Sequence, residues 1–350
     1  ALVMIGVIIT SIAIYYNENP IDFSASYFSD IPFTAKNVPV KPDIYLLIFD
    51  EYAGKIQLKN DFMYDNTDFV KKLESKGFYV PEVSYTNYPN TGMSIPSFFN
   101  MNYLDFLTEE LGKDSKDMRL AQELTDNNVV MKFLKLHNYK ITTFYGGFDA
   151  IGNTNLVSEK LCGLGILNTS MRENFVLTYL PITYFNPLAE AEMKDEVLEC
   201  LFTTVPKLKG SDEIPVFVLA HFVLPHDPFI YDSEGNLIKP EKLSKGKEPY
   251  LEQLIYTSKK ILVLVDKILE NATRESVIII ISDHGYRAEI DWENPSNEDY
   301  VSGFNILAAY HIPNEMDNLP ETISPVNIFR IIFNSYLDTE FEMLEDRQIW

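Results

Sequence analysis

Two apolar runs in this chain each stop on an acid, and that pairing constrains the fold more than any other feature. Asp43 to Phe49 (DIYLLIF) follows a proline and ends in Asp50-Glu51, and Val277 to Ile281 (VIIII) ends in Ser282-Asp283-His284-Gly285. A short continuous apolar run bounded by polar residues is the pattern of a strand buried on both faces, as in parallel sheets. Val216 to His221 is a third such run, and Lys140 to Tyr145 a fourth that closes on Gly146-Gly147. Between them the spacing predicts helices over Thr67–Lys76, Asn127–His137 and Tyr250–Asn271, the last with Leu251, Leu254, Ile255, Ile261, Leu262, Val265, Ile268 and Leu269 at helical spacing. Phe78 to Val83 and Phe304 to Tyr310 read as further strands. Ser324-Pro325 reads as the N-cap and first position of a helix running to about Tyr336. Strands alternating with helices give an α/β fold, with a mostly parallel central sheet and helices on both faces. Ligands in such folds sit beyond the carboxyl ends of the strands, where Asp50, Asp283 and His284 fall.

The 350 residues are enough for a large single domain, and 46% hydrophobic content with 13% aromatics is that of a globular chain. The formal net charge is −22, from 51 acidic against 29 basic residues. That balance excludes nucleic acid as a partner, because such binding runs on Lys and Arg against phosphates. It does not exclude a phosphate ester as substrate, since a bound cation inverts the local field.

The segment Ala1 to Tyr16 (ALVMIGVIITSIAIYY) carries no charge and ends in two tyrosines. It reads as the C-terminal part of a transmembrane helix, with tyrosines at the interface; the alternative is a buried core helix. No Lys or Arg follows until Lys36, which places the next segment on the outer side. Residues 17–40, with Pro20, Pro32 and Pro39, read as a linker, 41–337 as the catalytic domain and 338–350 as a C-terminal tail. Cys162 and Cys200 stand in no CxxC arrangement. They are either one disulfide of an external domain or two buried free thiols.

The chemistry concentrates in three places. Asp283-His284 at a strand end offers a carboxylate and an imidazole side by side, a donor set suited to Zn2+ or Mn2+. Asp50, after the first strand, is a further carboxylate, or a turn-initiating residue. Thr91 lies in Asn87-Tyr-Pro-Asn-Thr91-Gly-Met-Ser94-Ile-Pro96, ahead of a helix expected to start near Ser94 to Pro96 with Pro96 close to N1. A hydroxyl there sits where free N–H groups favour an anion; the alternative is a helix-capping Thr.

The strand ending in Asp50, the Thr-x-x-Ser-x-Pro pattern and the late Ser-Asp-His-Gly resemble the alkaline phosphatase superfamily, and within it the sulfatase-like branch. That branch includes lipoteichoic-acid synthases and phosphoethanolamine transferases, whose external catalytic domains follow transmembrane helices. The resemblance covers roughly Pro42 to Tyr336. It implies that Asp50, Thr91, Asp283 and His284 bind one divalent metal, and that Thr91 is the nucleophile. It also implies that His226, with His221, contacts the transferred group, as in His221-Phe-Val-Leu-Pro-His226-Asp-Pro; Arg287 is a candidate phosphate clamp, or solvated surface. His137 and His311 fit no motif and read as structural. A complete second metal site is not expected. True sulfatases need a Cys or Ser in a C/S-x-P-S-R frame, and here Phe98 stands where the Arg would be. Thr91 cannot become formylglycine, so the resemblance favours phospho-group transfer to a lipid or glycan at a membrane surface. Hydrolysis of phosphate or sulfate esters is the alternative, and a non-catalytic member a third.

Overall fold

The computed structural model describes residues 38, 41–112, 115–144, 155–162, 187–316 and 318–350. β1 (Asp43–Phe49) belongs to a six-stranded sheet with β2 (Lys140–Phe144), β3 (Glu159–Leu161), β4 (Val216–Phe222), β5 (Ser276–Ile281) and β6 (Ala308–His311), in the order β3-β2-β4-β1-β5-β6. Every neighbouring pair is parallel except β5 and β6. The sheet is thus mostly parallel, with the antiparallel strand at one edge. Around it run α1 (Lys55–Phe62), α2 (Thr67–Glu74), α3 (Thr91–Phe99), α4 (Phe106–Leu111), α5 (Arg119–Asp126), α6 (Val129–Leu136), α7 (Pro187–Thr204), α8 (Lys247–Asn271), α9 (Asn297–Phe304) and α10 (Ile328–Tyr336).

The alternation along β1 shows why its run is continuous. Tyr45, Leu47 and Phe49 enter one core with residues of α2, α7 and α8, while Ile44, Leu46 and Ile48 enter another with α3, α6 and α10. Both faces are covered, so the run is apolar from Ile44 to Phe49 apart from the Tyr45 hydroxyl, which donates to Leu208 O at 2.6 Å; each aliphatic side chain contributes about 1.5–3 kcal/mol on burial. Register then sets the site. Ile48 stands opposite both His221 of β4 and Ile281 of β5. The three central strands therefore end side by side, and Asp50, His221 and Ser282-Asp283 meet at one rim.

Several elements differ from the sequence expectation. Phe78–Val83 forms no strand: Pro81 lies within it, and its contact with the sheet is a single bridge from Tyr79 to Tyr310. Phe304 closes α9 and is not in a strand; Ser296 and Asp299 form a capping box that starts this helix, and the strand begins only at Ala308. α3 starts at Thr91, because the Asn90 side chain accepts from the Met93 N–H at 3.0 Å. Pro96 is consequently inside the helix rather than near N1. Pro325–Asn327 is a short 3-10 turn leading into α10, and the Ser324 side chain accepts from Asn87 instead of capping it. The choice for the cysteines is settled in favour of pairing: Cys162 and Cys200 form a disulfide joining the end of β3 to α7. Residues 338–350 carry no helix or strand, but they pack on the body through Ile349 N–H to Asn87 O at 2.9 Å and Arg347 to Asp105 at 2.9 Å. Residues 1–16 and the linker apart from residue 38 lie outside the described residues. Among the described ones no helix is long and apolar enough to cross a membrane.

Candidate active site and metal centre

Asp50, Asp283 and His284 converge at the carboxyl ends of β1 and β5, with one potential ligand atom from each within 4.8 Å of the others. All three are buried, at 2%, 3% and 0% exposure. His284 Nε2 lies 3.6 Å from Asp50 Oδ1 and 3.6 Å from Asp283 Oδ2. His284 Nδ1 is 2.8 Å from the Gly285 carbonyl, to which it donates, so the lone pair belongs to Nε2. Asp50 Oδ1 and His284 Nε2 have no hydrogen-bond partner despite full burial. Unpaired buried acceptors are costly, and two of them facing a second carboxylate form a donor set that fits a divalent cation. The chain thus carries a buried site suited to one divalent metal.

Thr91, at the first position of α3, donates from Oγ1 to Asp283 Oδ2 at 2.6 Å. Asp283 Oδ1 meanwhile accepts the N–H groups of Glu51 at 3.1 Å and His284 at 3.0 Å. Its carboxylate is therefore held by two main-chain donors on one oxygen and carries the Thr91 hydroxyl on the other.

His221, in β4, is only 6% exposed and stands with Nε2 3.5 Å from Asp50 Oδ2. Burial alone would raise the Asp50 carboxyl, but the His221 contact and the charge of the nearby His226 outweigh it and hold the group well below the ordinary carboxylate range. Burial likewise opposes charge on His221 and His226, yet the Asp50 carboxylate raises both above the usual imidazole value. His226 and Arg287 sit further out. They line a cleft of about 510 Å3 together with Glu51, Asp227, Lys245 and Trp292. The Arg287 guanidinium reaches the Pro89 carbonyl at 3.3 Å, beside the Thr91 loop. The structure therefore brings Asp50, Thr91, Asp283 and His284 together, sets His221 behind Asp50, and leaves His226 and Arg287 on the cleft wall. His137 and His311 lie away from it, each bonded through Nδ1 to a main-chain carbonyl, Phe133 O and Gly77 O.

Other positions were not legible from motifs. Glu51 is buried in a left-handed conformation (φ 64°), and desolvation raises its carboxyl. Tyr250 of α8 clamps the turn after β1, donating to Glu51 O at 2.7 Å and accepting from Ala53 N–H at 2.9 Å. Gln57 of α1 holds both backbone groups of Tyr286, its amide donating to the carbonyl at 2.6 Å and its oxygen accepting the N–H at 3.0 Å. Gly285 is fixed by crowding: a Cβ there would lie 2.1 Å from Ser302 O. Two of these did carry a sequence signal, Glu51 in its place beside Asp50 and Gly285 as the last residue of Ser-Asp-His-Gly; Tyr250 and Gln57 carried none.

No family model matches the chain, and no curated protein matches it by sequence. Solved structures do. The C-terminal periplasmic domain of EcEptC from Escherichia coli, in complex with Zn, matches over 87% of this chain and 86% of its own, with a TM-score of 0.53 at 13% identity. The mostly parallel α/β architecture of this chain is shared with that domain. The periplasmic domain of the phosphoethanolamine transferase EptC from Campylobacter jejuni shares it over 89% of this chain and 94% of that one, with a TM-score of 0.50 at 15% identity. So does Ps i-CgsB in complex with k-i-k-neocarrahexaose, over 89% and 76%, with a TM-score of 0.55 at 14% identity. These three structures share the architecture at identities that speak to fold alone.

Proposed function

We propose that this chain is a membrane-anchored, metal-dependent transferase of the sulfatase-like type. It moves a phosphate-linked headgroup from a lipid donor to a hydroxyl on a cell-surface lipid or glycan, with Thr91 as nucleophile. The single observation that carries this reading is the 2.6 Å hydrogen bond from Thr91 Oγ1 to Asp283 Oδ2, made inside the Asp50, Asp283 and His284 cluster.

Asp283 accepts the Thr91 proton as the hydroxyl oxygen bonds to phosphorus. The bond from phosphorus to the donor's leaving oxygen breaks, and phospho-Thr91 remains. The cleft wall completes the step: His226, whose imidazole is raised above its usual value by the Asp50 carboxylate against the effect of burial, gives a proton to the leaving oxygen, and Arg287 holds a non-bridging oxygen. The acceptor hydroxyl then attacks phosphorus and gives its proton to His226, while the bond from phosphorus to Thr91 Oγ1 breaks and Asp283 returns the proton it holds to the Thr91 oxygen. A divalent ion, Mn2+ or Zn2+, bound by Asp50, Thr91, Asp283 and His284 supplies the positive charge that lowers the hydroxyl pKa and neutralises the developing charge.

The location has its own support. A disulfide belongs to an oxidising compartment, and the Cys162–Cys200 pair fits a catalytic domain on the extracytoplasmic side. The apolar segment 1–16 supplies the anchor in this reading, and periplasmic domains share the fold.

Incubation with headgroup-labelled phospholipid, followed by intact-mass measurement, is the test. A phosphate-type adduct should appear on the chain and be absent from Thr91→Ala. Label passing to an added glycan or lipid acceptor supports the transferase; turnover to water alone, with acceptors present, would replace it by a hydrolase.

A further inference from the structure

The chain contains two tryptophans, and they stack on each other at the rim of the cleft. Trp292 and Trp350 have ring centroids 5.1 Å apart at 30°. Trp350 in turn packs on Tyr300 at 4.5 Å and Phe304 at 5.8 Å. The rings form a ladder from the interior outward. Phe304 is 2% exposed, Trp350 38% and Trp292 47%. Trp292 also lines the cleft that His226 and Arg287 face.

Large aromatics left open at this level cost solvation free energy, and Trp is among the more buried residue types on average. This pair is also held in place. The Ile349 N–H donates to Asn87 O, in the loop that leads to Thr91, and a Cβ at Gly303 would sit 3.1 Å from Pro89 and 3.5 Å from Trp350. Trp350 is thereby wedged beside that loop, and it backs one face of Trp292. A rigid indole with a supported face and an open edge onto a reaction cleft is a stacking platform.

The chemistry around it selects the ligand. Asp291, Glu293 and Asn294 flank Trp292 and are exposed, and Asp291 Oδ1 accepts the N–H groups of Glu293 and Asn294 at 3.0 and 3.1 Å. An acidic fringe on a chain of net charge −22 repels an anionic lipid surface. It offers acceptors to hydroxyl groups. A ligand with an apolar C–H face and a periphery of hydroxyls matches both parts, and that is a pyranose ring. We infer that Trp292, backed by Trp350, is a binding platform for a neutral sugar unit, which delivers a hydroxyl-bearing glycan to the cleft. As the acceptor subsite this rests on the transferase reading; as a binding site it stands without it.

Because both tryptophans belong to the platform, intrinsic tryptophan fluorescence of the full chain reports on it directly. The probes are cellohexaose, chitohexaose and maltohexaose, titrated to millimolar concentration, with vesicles of phosphatidylglycerol as the competing ligand. At least one hexasaccharide should quench or shift the emission saturably, with no response to the vesicles. Calorimetry with the responding sugar should then show binding weakened about tenfold or more in Trp292→Ala. The same binding should persist in Asp283→Ala, a variant that disables the catalytic reading and leaves the platform intact. Emission indifferent to all three sugars overturns the inference, and so does a response to vesicles alone. Trp292 is exposed and loop-borne, so its loss should leave folding intact; if Trp292→Ala is nevertheless misfolded by circular dichroism, the wild-type titration decides alone.

Discussion

The floor of this site and its rim are built by different rules. The floor consists of Asp50, directly after β1, and Asp283 and His284, just past Ser282 at the end of β5, both strands buried on both faces, with Thr91 at the start of a capped helix. Its side chains are almost without solvent contact, and each is tied by main-chain hydrogen bonds or by register. The rim consists of His226, Arg287, Trp292 and Lys245 on connecting segments, all partly or fully exposed. A buried floor built on the sheet fixes the proposed metal donors and the proposed nucleophile to small tolerances. A rim on loops leaves room for substrates to differ. The two regions should therefore fail differently when changed, the floor in metal content and the rim in turnover at constant metal.

The sharpest separation is expected from Asp283→Ala. It removes one donor of the cluster and the acceptor of the Thr91 proton together. Elemental analysis should find the divalent metal lost, and turnover of labelled phospholipid should fall by about a thousandfold or more. If the purified variant retains its metal at one equivalent, the floor has been assigned wrongly and the ligands are elsewhere.

His226→Gln makes the opposite test. The segment around His226 is held through its main chain: its N–H donates to Asp50 O at 3.2 Å, and its carbonyl accepts from Lys194 at 2.6 Å and Gln253 at 3.0 Å. The ring can thus be replaced with the loop kept in place. Turnover should drop about a hundredfold, the ordinary share of a proton donor, while metal content stays at the wild-type level. Metal loss in this variant would erase the distinction between floor and rim.

This division also explains how far the sequence could be read. The floor was visible because its signals are contiguous. DIYLLIF before Asp50 and VIIII before Asp283-His284 state both burial and position in a single run. Thr91 was visible through its Asn, Pro and Gly neighbours, although the cap proved to be Asn90 and the helix began at Thr91 itself. Tertiary placement was not visible. Nothing in the chain before Phe78 or after Val83 announces that this segment meets β6 at one bridge only. The Ser296–Asp299 capping box was a usable signal for α9, but the apolar stretch that follows drew the strand expectation too early. Trp292 and Trp350 are 58 positions apart, and only folding brings them together. Clamps such as Tyr250 and Gln57 look like ordinary helix residues, because what they hold lies on a distant loop.

Gln57 gives the finest probe of how the floor is held. Its amide spans the backbone of Tyr286, two residues beyond His284, and its own N–H donates to Asn305 Oδ1 at 3.0 Å. It is 1% exposed, and its hydrogen bonds go to Asn305 and Tyr286 rather than to any of the four donors proposed for the metal. Gln57→Leu preserves its approximate volume but leaves the Tyr286 N–H and C=O without their partner. An unsatisfied buried pair of this kind destabilises by about 1–3 kcal/mol, to be read as a lower midpoint in urea unfolding. The larger consequence should be on the cluster. A loop freed at Tyr286 lets the His284 ring relax from its Gly285 anchor, and partners of this outer kind are typically worth about 10–100-fold in metal affinity. Competition against a chelator measures that loss, and Gln57→Glu, which keeps an acceptor for the Tyr286 N–H, should recover part of it. Equal affinity in wild type and Gln57→Leu, at a lowered unfolding midpoint, would mean that Gln57 supports the fold alone and that strand register by itself sets the donors.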